Sequence, residues 1–170
     1  SDRIPLELDA EGNVKVPDVI RRGYEAFYDA GAHLLTVPEH MGGLGGPPSV
    51  GWASFEFSAG ANAPLAFYLF GTFAARTIDR HGTDDQKKRF VPPLIDRRWG
   101  GSMVLTEPDA GSDVGAGRTR ARDVGNGIWE IEGTKRFITN GDFDVPENLV
   151  HMVLARPEGA SGGTKGLSMF

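Results

Sequence analysis

Cysteine is absent from the chain, which removes disulfides, thiolate metal sites and a thiol nucleophile and is compatible with a reducing compartment. Histidine is scarce: His33, His40, His81 and His151 stand apart without the paired spacing that metal sites use, so no metal is expected. A basic excess is also missing. With 23 acidic and 18 basic residues the net charge is -5, which argues against a nucleic-acid partner, whose phosphates need the opposite balance. No apolar run reaches the ~20 residues of a membrane helix. The longest, 64–75, is expected to be a buried core helix. Residues 1–10 are polar and lack the apolar segment of a secretory signal, so a cytoplasmic location is expected.

What is present suits one ordinary domain or two small ones. The 170 residues are 39% hydrophobic and 24% charged, which fits neither a disordered chain nor a coiled coil. Ile20, Tyr24 and Phe27 recur at helical spacing over 17–30, with Pro17 at the start and Gly31 as a stop. The Gly- and Pro-rich stretch 38–48 is expected to be a loop. It lacks the preceding strand and the Lys-Ser or downstream acid of a phosphate loop. Val50, Ala53, Phe57 and Ala61 mark a second helix, and 64–80, apolar nearly all round, a third that is buried. Gly82 closes it, and Thr83-Asp84-Asp85-Gln86 has the pattern of a capping box. The helix it opens is expected to end near Pro92 and Pro93, with Lys87, Lys88 and Arg89 on a solvated face.

After Trp99 the composition turns to short strand patterns, at 103–106, 118–124, 128–132, 137–139 and 149–156. Asn126-Gly127 supplies the positive backbone angles of a tight hairpin between the second and third. Helices followed by strands imply an α+β protein, expected as a helical domain over 1–98 and a β-domain over 99–170. The final run, Leu167 to Phe170, is strand-like with no turn or cap after it, so the chain is expected to be a fragment.

Two segments carry the chemistry. From Met103 to Asp113 a strand runs into a turn of small residues whose backbone amides become reachable. Gly111, Gly115 and Gly117 allow close approach of a flat or anionic ligand, and Thr106 and Ser112 add hydroxyls that donate and accept. Residue types alone equally allow a plain turn capped by Asp109 and Asp113. From Gly133 to Asn140 a second strand pattern ends in Phe137, Ile138 and Thr139, an aromatic ring able to stack followed by a β-branched residue and a hydroxyl. Taken alone, Phe137 is an ordinary core residue.

Together these segments resemble the acyl-CoA dehydrogenase family, whose middle domain carries Thr-Glu-x-x-x-Gly-Ser-Asp and, a few tens of residues on, Gly-x-Lys-x-aromatic-Ile-Thr-Asn. Residues 82–94 are similar to the family's last N-terminal helix, 163–168 to a following strand entry, and 150–170 to the larger bacterial members. The resemblance implies an N-terminal all-α domain, a middle domain built as an antiparallel β-barrel or sandwich, and a C-terminal helical bundle that is absent here. It implies FAD lined by Met103, Leu105, Thr106, Gly111, Ser112, Phe137, Ile138 and Thr139, with Leu105 and Thr106 at the ring and Ser112 also reaching the CoA part of the substrate. Phe137 stands where many relatives have tryptophan, so stacking is kept with a smaller ring and no indole donor.

The implied reaction is oxidation of a fatty acyl-CoA to the trans-2-enoyl-CoA in fatty-acid β-oxidation. Electrons leave to an electron-transferring flavoprotein, and the assembly is a homo-oligomer, a dimer or tetramer. The base would be a glutamate of the absent domain, so no catalytic residue is named: Glu107 belongs to the cofactor turn and Glu147 to a solvated loop. An acyl-CoA oxidase, a flavin monooxygenase of the same fold, and a non-catalytic flavin- or acyl-CoA-binding module are the alternatives.

Overall fold

Helix α1 (Asp18–Asp29) forms where the spacing placed it and buries Ile20, Tyr24 and Tyr28, while Phe27 of the expected stripe is half-buried. It stops at Gly31, whose φ of 69° suits a residue without Cβ and lets its amide bond back to Tyr28. The computed structural model describes residues 3–170, which divide into two units. One runs through Gly101 and includes Asp142–Val150; the other comprises Ser102–Gly141 and His151–Phe170.

The first unit opens with a small antiparallel pair, β1 (Glu7–Leu8) and β2 (Val14–Lys15), and continues through α1 to α2 (Pro48–Tyr68), α3 (Gly71–His81) and α4 (Asp84–Asp96). Its core gathers Val16, Ile20, Tyr24 and Tyr28 with Phe143, which arrives from more than a hundred residues away. Asp144 fastens that arrival. Its carboxylate accepts from the Val16 amide at 3.1 Å and from Arg21 Nη2 at 2.7 Å. Burial pushes its pKa up, but the Val16 amide and the Arg21 charge outweigh burial and hold it below the usual range.

The Gly-rich loop spends its amides on itself, the opposite of what a phosphate loop requires. Leu44, Gly45 and Gly46 donate to Leu34, Val37 and Leu35 at 2.8 to 2.9 Å, wrapping the buried Val37.

Two helical expectations need correction. The stretch 64–80 is not one buried helix. Its first part is the end of α2, set off by a break at Asn62 ahead of Pro64, and α3 follows after Leu69 and Phe70. Phe67 and Phe73 are exposed, because a helix apolar on every side cannot cover all of itself against the neighbours this unit supplies. Pro92 and Pro93 do not end α4 either. The helix continues to Asp96, with Leu94 fully buried and Arg97 closing on the Pro93 carbonyl at 3.1 Å, so packing overrides two missing donors.

The capping box is formed as expected: Thr83 Oγ1 accepts from the Gln86 amide at 3.3 Å, and Gln86 Oε1 accepts from the Thr83 amide at 2.9 Å. Thr83→Ala should therefore lower the stability of the helical unit by ~1 kcal/mol, with Thr83→Ser retaining most of it. Urea unfolding monitored by helical circular dichroism checks this, and equal midpoints for Thr83→Ala and wild type would refute it.

The second unit holds the greater part of strands β3 (Gly100–Val104) and β6 (Leu149–Pro157) and all of β4 (Arg120–Gly125), β5 (Ile128–Glu132) and β7 (Ser168–Met169). The hairpin is where it was expected, with Asn126 at φ 56° and Gly127 at φ 73° between β4 and β5. The sheet order is β3-β6-β4-β5, with β7 antiparallel to β6. The α+β class holds, but the sheet is mixed rather than antiparallel, since β4 and β6 run parallel through Arg120↔Arg156 and Ala121↔Pro157. β5 turns the chain back on β4, and residues 133–148 then connect it to β6, which lies on the other side of β4. Among the described residues no closed barrel forms, and no helix is long and apolar enough to cross a membrane.

Candidate cofactor turn of the β-rich unit

Strand β3 delivers Met103, Leu105 and Thr106 in half-buried positions, and the chain then reverses tightly. Glu107 and Ala110 exchange backbone hydrogen bonds at 3.1 Å in both directions, with Pro108 pre-set at the second turn position. The reversal closes through the main chain, and Asp109 contributes only an exposed contact with Arg118 at 3.9 Å.

The centre of the arrangement is the Glu107 carboxylate, a group the sequence offered no reason to single out within its turn. It is 7% exposed. It accepts from the Arg118 amide at 2.6 Å, the Thr119 amide at 3.0 Å and Lys135 Nζ at 3.0 Å. Burial pushes its pKa up, yet the Arg118 and Thr119 donors and the Lys135 ammonium prevail and hold it at about 2. Lys135 Nζ also donates to the Leu105 carbonyl at 2.8 Å, and the neighbouring Arg136 amide donates to the Thr106 carbonyl at 2.9 Å. The two motif segments are thus laced together by consecutive residues.

Beyond that point the expected strand 137–139 is absent. Phe137 sits at φ 60° and Asn140 at φ 59°, so the segment is a pair of sharp bends, and extended pairing is impossible with either residue in the left-handed region. Phe137 is no core residue: it is 76% exposed, with the Arg136 guanidinium 4.8 Å from its ring centroid. A bulky side chain held in that backbone region costs on the order of 1 kcal/mol, which surrounding contacts must offset. Ile138 is half-buried and Thr139 exposed.

Gly111 and Ser112 are exposed on the far side of the turn. A Cβ at Gly111 would meet only the Thr106 methyl, at 3.9 Å, so the space above it is open. No described hydrogen bond ties Ser112 to residues 137–139. The rest of this loop is held by Arg156, which sequence reasoning passed over. Its guanidinium donates to the carbonyls of Gly115 at 2.9 Å, Gly163 at 3.0 Å and Ser161. An arginine in the run Ala-Arg-Pro-Glu-Gly carries no local mark of such a role, because all three acceptors are backbone.

In the other unit Glu147 is exposed, with Trp99 Nε1 3.5 Å from its carboxylate, as befits a solvated loop. The β-rich turn therefore offers an exposed ring, half-buried backbone groups and open space over a glycine, a set suited to a flat heteroaromatic with hydrogen-bond acceptors.

Comparison with known families agrees with the motif reading. Residues 3–98 match the model of the acyl-CoA dehydrogenase N-terminal domain, and 102–170 that of the acyl-CoA dehydrogenase middle domain. The chain is 46% identical over 171 residues to the broad-specificity linear acyl-CoA dehydrogenase FadE5 of Mycobacterium tuberculosis, covering 99% of this chain and 28% of that protein. It is 35% identical over 159 residues to a butyryl-CoA dehydrogenase of Syntrophomonas wolfei, covering 91% of this chain and 26% of the relative. The solved butyryl-CoA dehydrogenase of Megasphaera elsdenii superposes with a TM-score of 0.70 at 27% identity, over 92% of this chain and 40% of that one. The chain thus spans little more than a quarter of the curated relatives it matches.

Proposed function

The chain belongs to the acyl-CoA dehydrogenase family, and from that premise we propose that it is the part of an FAD-dependent acyl-CoA dehydrogenase that holds the flavin and the CoA thioester. In this reading 1–98 is the helical domain and 99–170 the β-domain, and the whole protein oxidises a fatty acyl-CoA to the trans-2-enoyl-CoA. Electrons pass to an electron-transferring flavoprotein, in a cytoplasmic homo-oligomer.

The observation that carries the reading is the lacing of 105–107 to 135–136 through Lys135 and Arg136, which leaves Thr106 half-buried and the Phe137 ring free to stack. Met103, Leu105, Thr106, Gly111, Ser112, Phe137, Ile138 and Thr139 would hold the cofactor, with Ser112 also meeting the CoA portion. The bound flavin supplies a hydride acceptor. This chain's own residues bind and orient: the Phe137 ring stacks, backbone donors near Thr106 fix polar edges, and the half-buried apolar residues exclude water.

The base is not Glu107. A carboxylate with a pKa of about 2, its oxygens engaged by three donors, is far too weak to take a proton α to a thioester at neutral pH.

Purified as the complete polypeptide, the protein should show visible flavin absorbance and take up added FAD. Phe137→Ala should raise the FAD dissociation constant about threefold to tenfold, the range expected for lost stacking. A colourless protein indifferent to FAD would leave a non-catalytic binding module as the better reading.

A further inference from the structure

We propose that Lys135 is a positioning residue for the flavin site, acting by orienting and polarising the Leu105–Thr106 peptide rather than by touching the reaction; this rests on the flavin reading above. The Lys135 side chain is 13% exposed, an unusual place for an ammonium, and two groups hold it. One is the Glu107 carboxylate at 3.0 Å, which accounts for the charge. The other is the Leu105 carbonyl at 2.8 Å, and an ion pair alone does not require it.

That carbonyl shares a peptide plane with the Thr106 N–H. A cationic donor on the oxygen draws electron density through the amide and makes the N–H a stronger donor. None of the described hydrogen bonds uses the Thr106 N–H. On its other side Thr106 is fixed as well, because its carbonyl accepts from the Arg136 amide at 2.9 Å. Two consecutive residues of the second motif thus set both peptides flanking Thr106, one of them with a full positive charge. A donor so aimed and strengthened favours a ligand edge that gains negative charge, which is what an electron-accepting heteroaromatic ring does on reduction.

A role in folding alone predicts that Lys135 and Glu107 variants behave alike. The positioning role predicts that they differ. In the FAD-loaded complete protein, Lys135→Met should lower the flavin midpoint potential by about 30 mV, a tenfold change in the two-electron reduction equilibrium, and weaken FAD binding. Glu107→Gln, which keeps Lys135 on the Leu105 carbonyl, should lose stability but shift the potential far less.

Should Lys135→Met fail to fold, Lys135→Arg carries the test. It keeps the charge but cannot reproduce the geometry at both acceptors, so a smaller shift of the same sign is expected. Equal potentials in wild type and the folded Lys135 variant, or equal shifts for the Lys135 and Glu107 variants, overturn the inference while the flavin reading stands. A wild-type protein without bound flavin removes that reading, and this inference with it.

Discussion

Glu107→Gln should destabilise the β-rich unit by about 3 kcal/mol at neutral pH, the free energy equivalent of holding a carboxylate at about 2 instead of its ordinary 4.5. The carboxylate is 7% exposed, so solvent screening takes little from this figure. Glutamine keeps the shape but leaves the 13% exposed Lys135 ammonium without its counter-charge, and it sets an NH2 group among donors. The sign of the pH dependence follows from a depressed folded-state pKa. The stabilisation is fully present above about 4.5, declines as the pH falls and is gone once it passes about 2. Wild type and variant should therefore converge in acid and differ most near neutrality. Hydrogen exchange of the β4 and β5 amides reads the unit directly. A difference that stays constant down to pH 2 would show that shape, not charge, holds this turn.

The second large effect is expected at Gly166, which is buried against the Arg156 clamp. A Cβ there would overlap the Ser161 carbonyl oxygen and come within 2.6 Å of Arg156 Nη1, so Gly166→Ala must displace backbone or expel the guanidinium. Overpacking of this kind typically costs about 2 kcal/mol. Losing Arg156 would also free Gly115, which the same guanidinium holds at 2.9 Å. The consequence reaches the candidate site, since residues 111–117 are the loop that carries Ser112. Gly166→Ala should speed amide exchange across 113–117 and weaken FAD uptake. Arg156→Lys should reproduce the loop effect without the clash, because one ammonium cannot serve three carbonyls set around a planar fork. Unaltered exchange in both variants would show that Arg156 does not hold the loop.

These expectations rest on contacts of different legibility. Where a few neighbouring residues decide the outcome, the sequence is readable: Thr83 and Gln86 lie three apart and cap each other, Asn126-Gly127 turns a hairpin, and Ile20 and Tyr24 share a helix face. The two motif segments were legible as a pair, but not for the reason that joins them. Glu107 and Lys135 are 28 residues apart, and nothing local marks their oxygen and nitrogen as partners.

The Phe137 bend, the run of α4 through Pro92 and Pro93, and the parallel pairing of β4 with β6 each go against local preference. For the Phe137 bend and the two prolines that preference is worth on the order of 1 kcal/mol or more, which the rest of the fold offsets.

By itself the sequence determined the class of fold, the starts of α1 and α4 and the hairpin, and it pointed to the family through two short motifs, because periodicity, capping and turn chemistry act over a handful of residues. Only the tertiary structure decided that the buried Glu107 carboxylate and the half-buried Lys135 draw those motifs together, that Phe143 and Asp144 return to the helical unit, and that Phe137 is offered outward. Such contacts join residues far apart in the chain, and their strength comes from the exclusion of water around them, which no run of letters records.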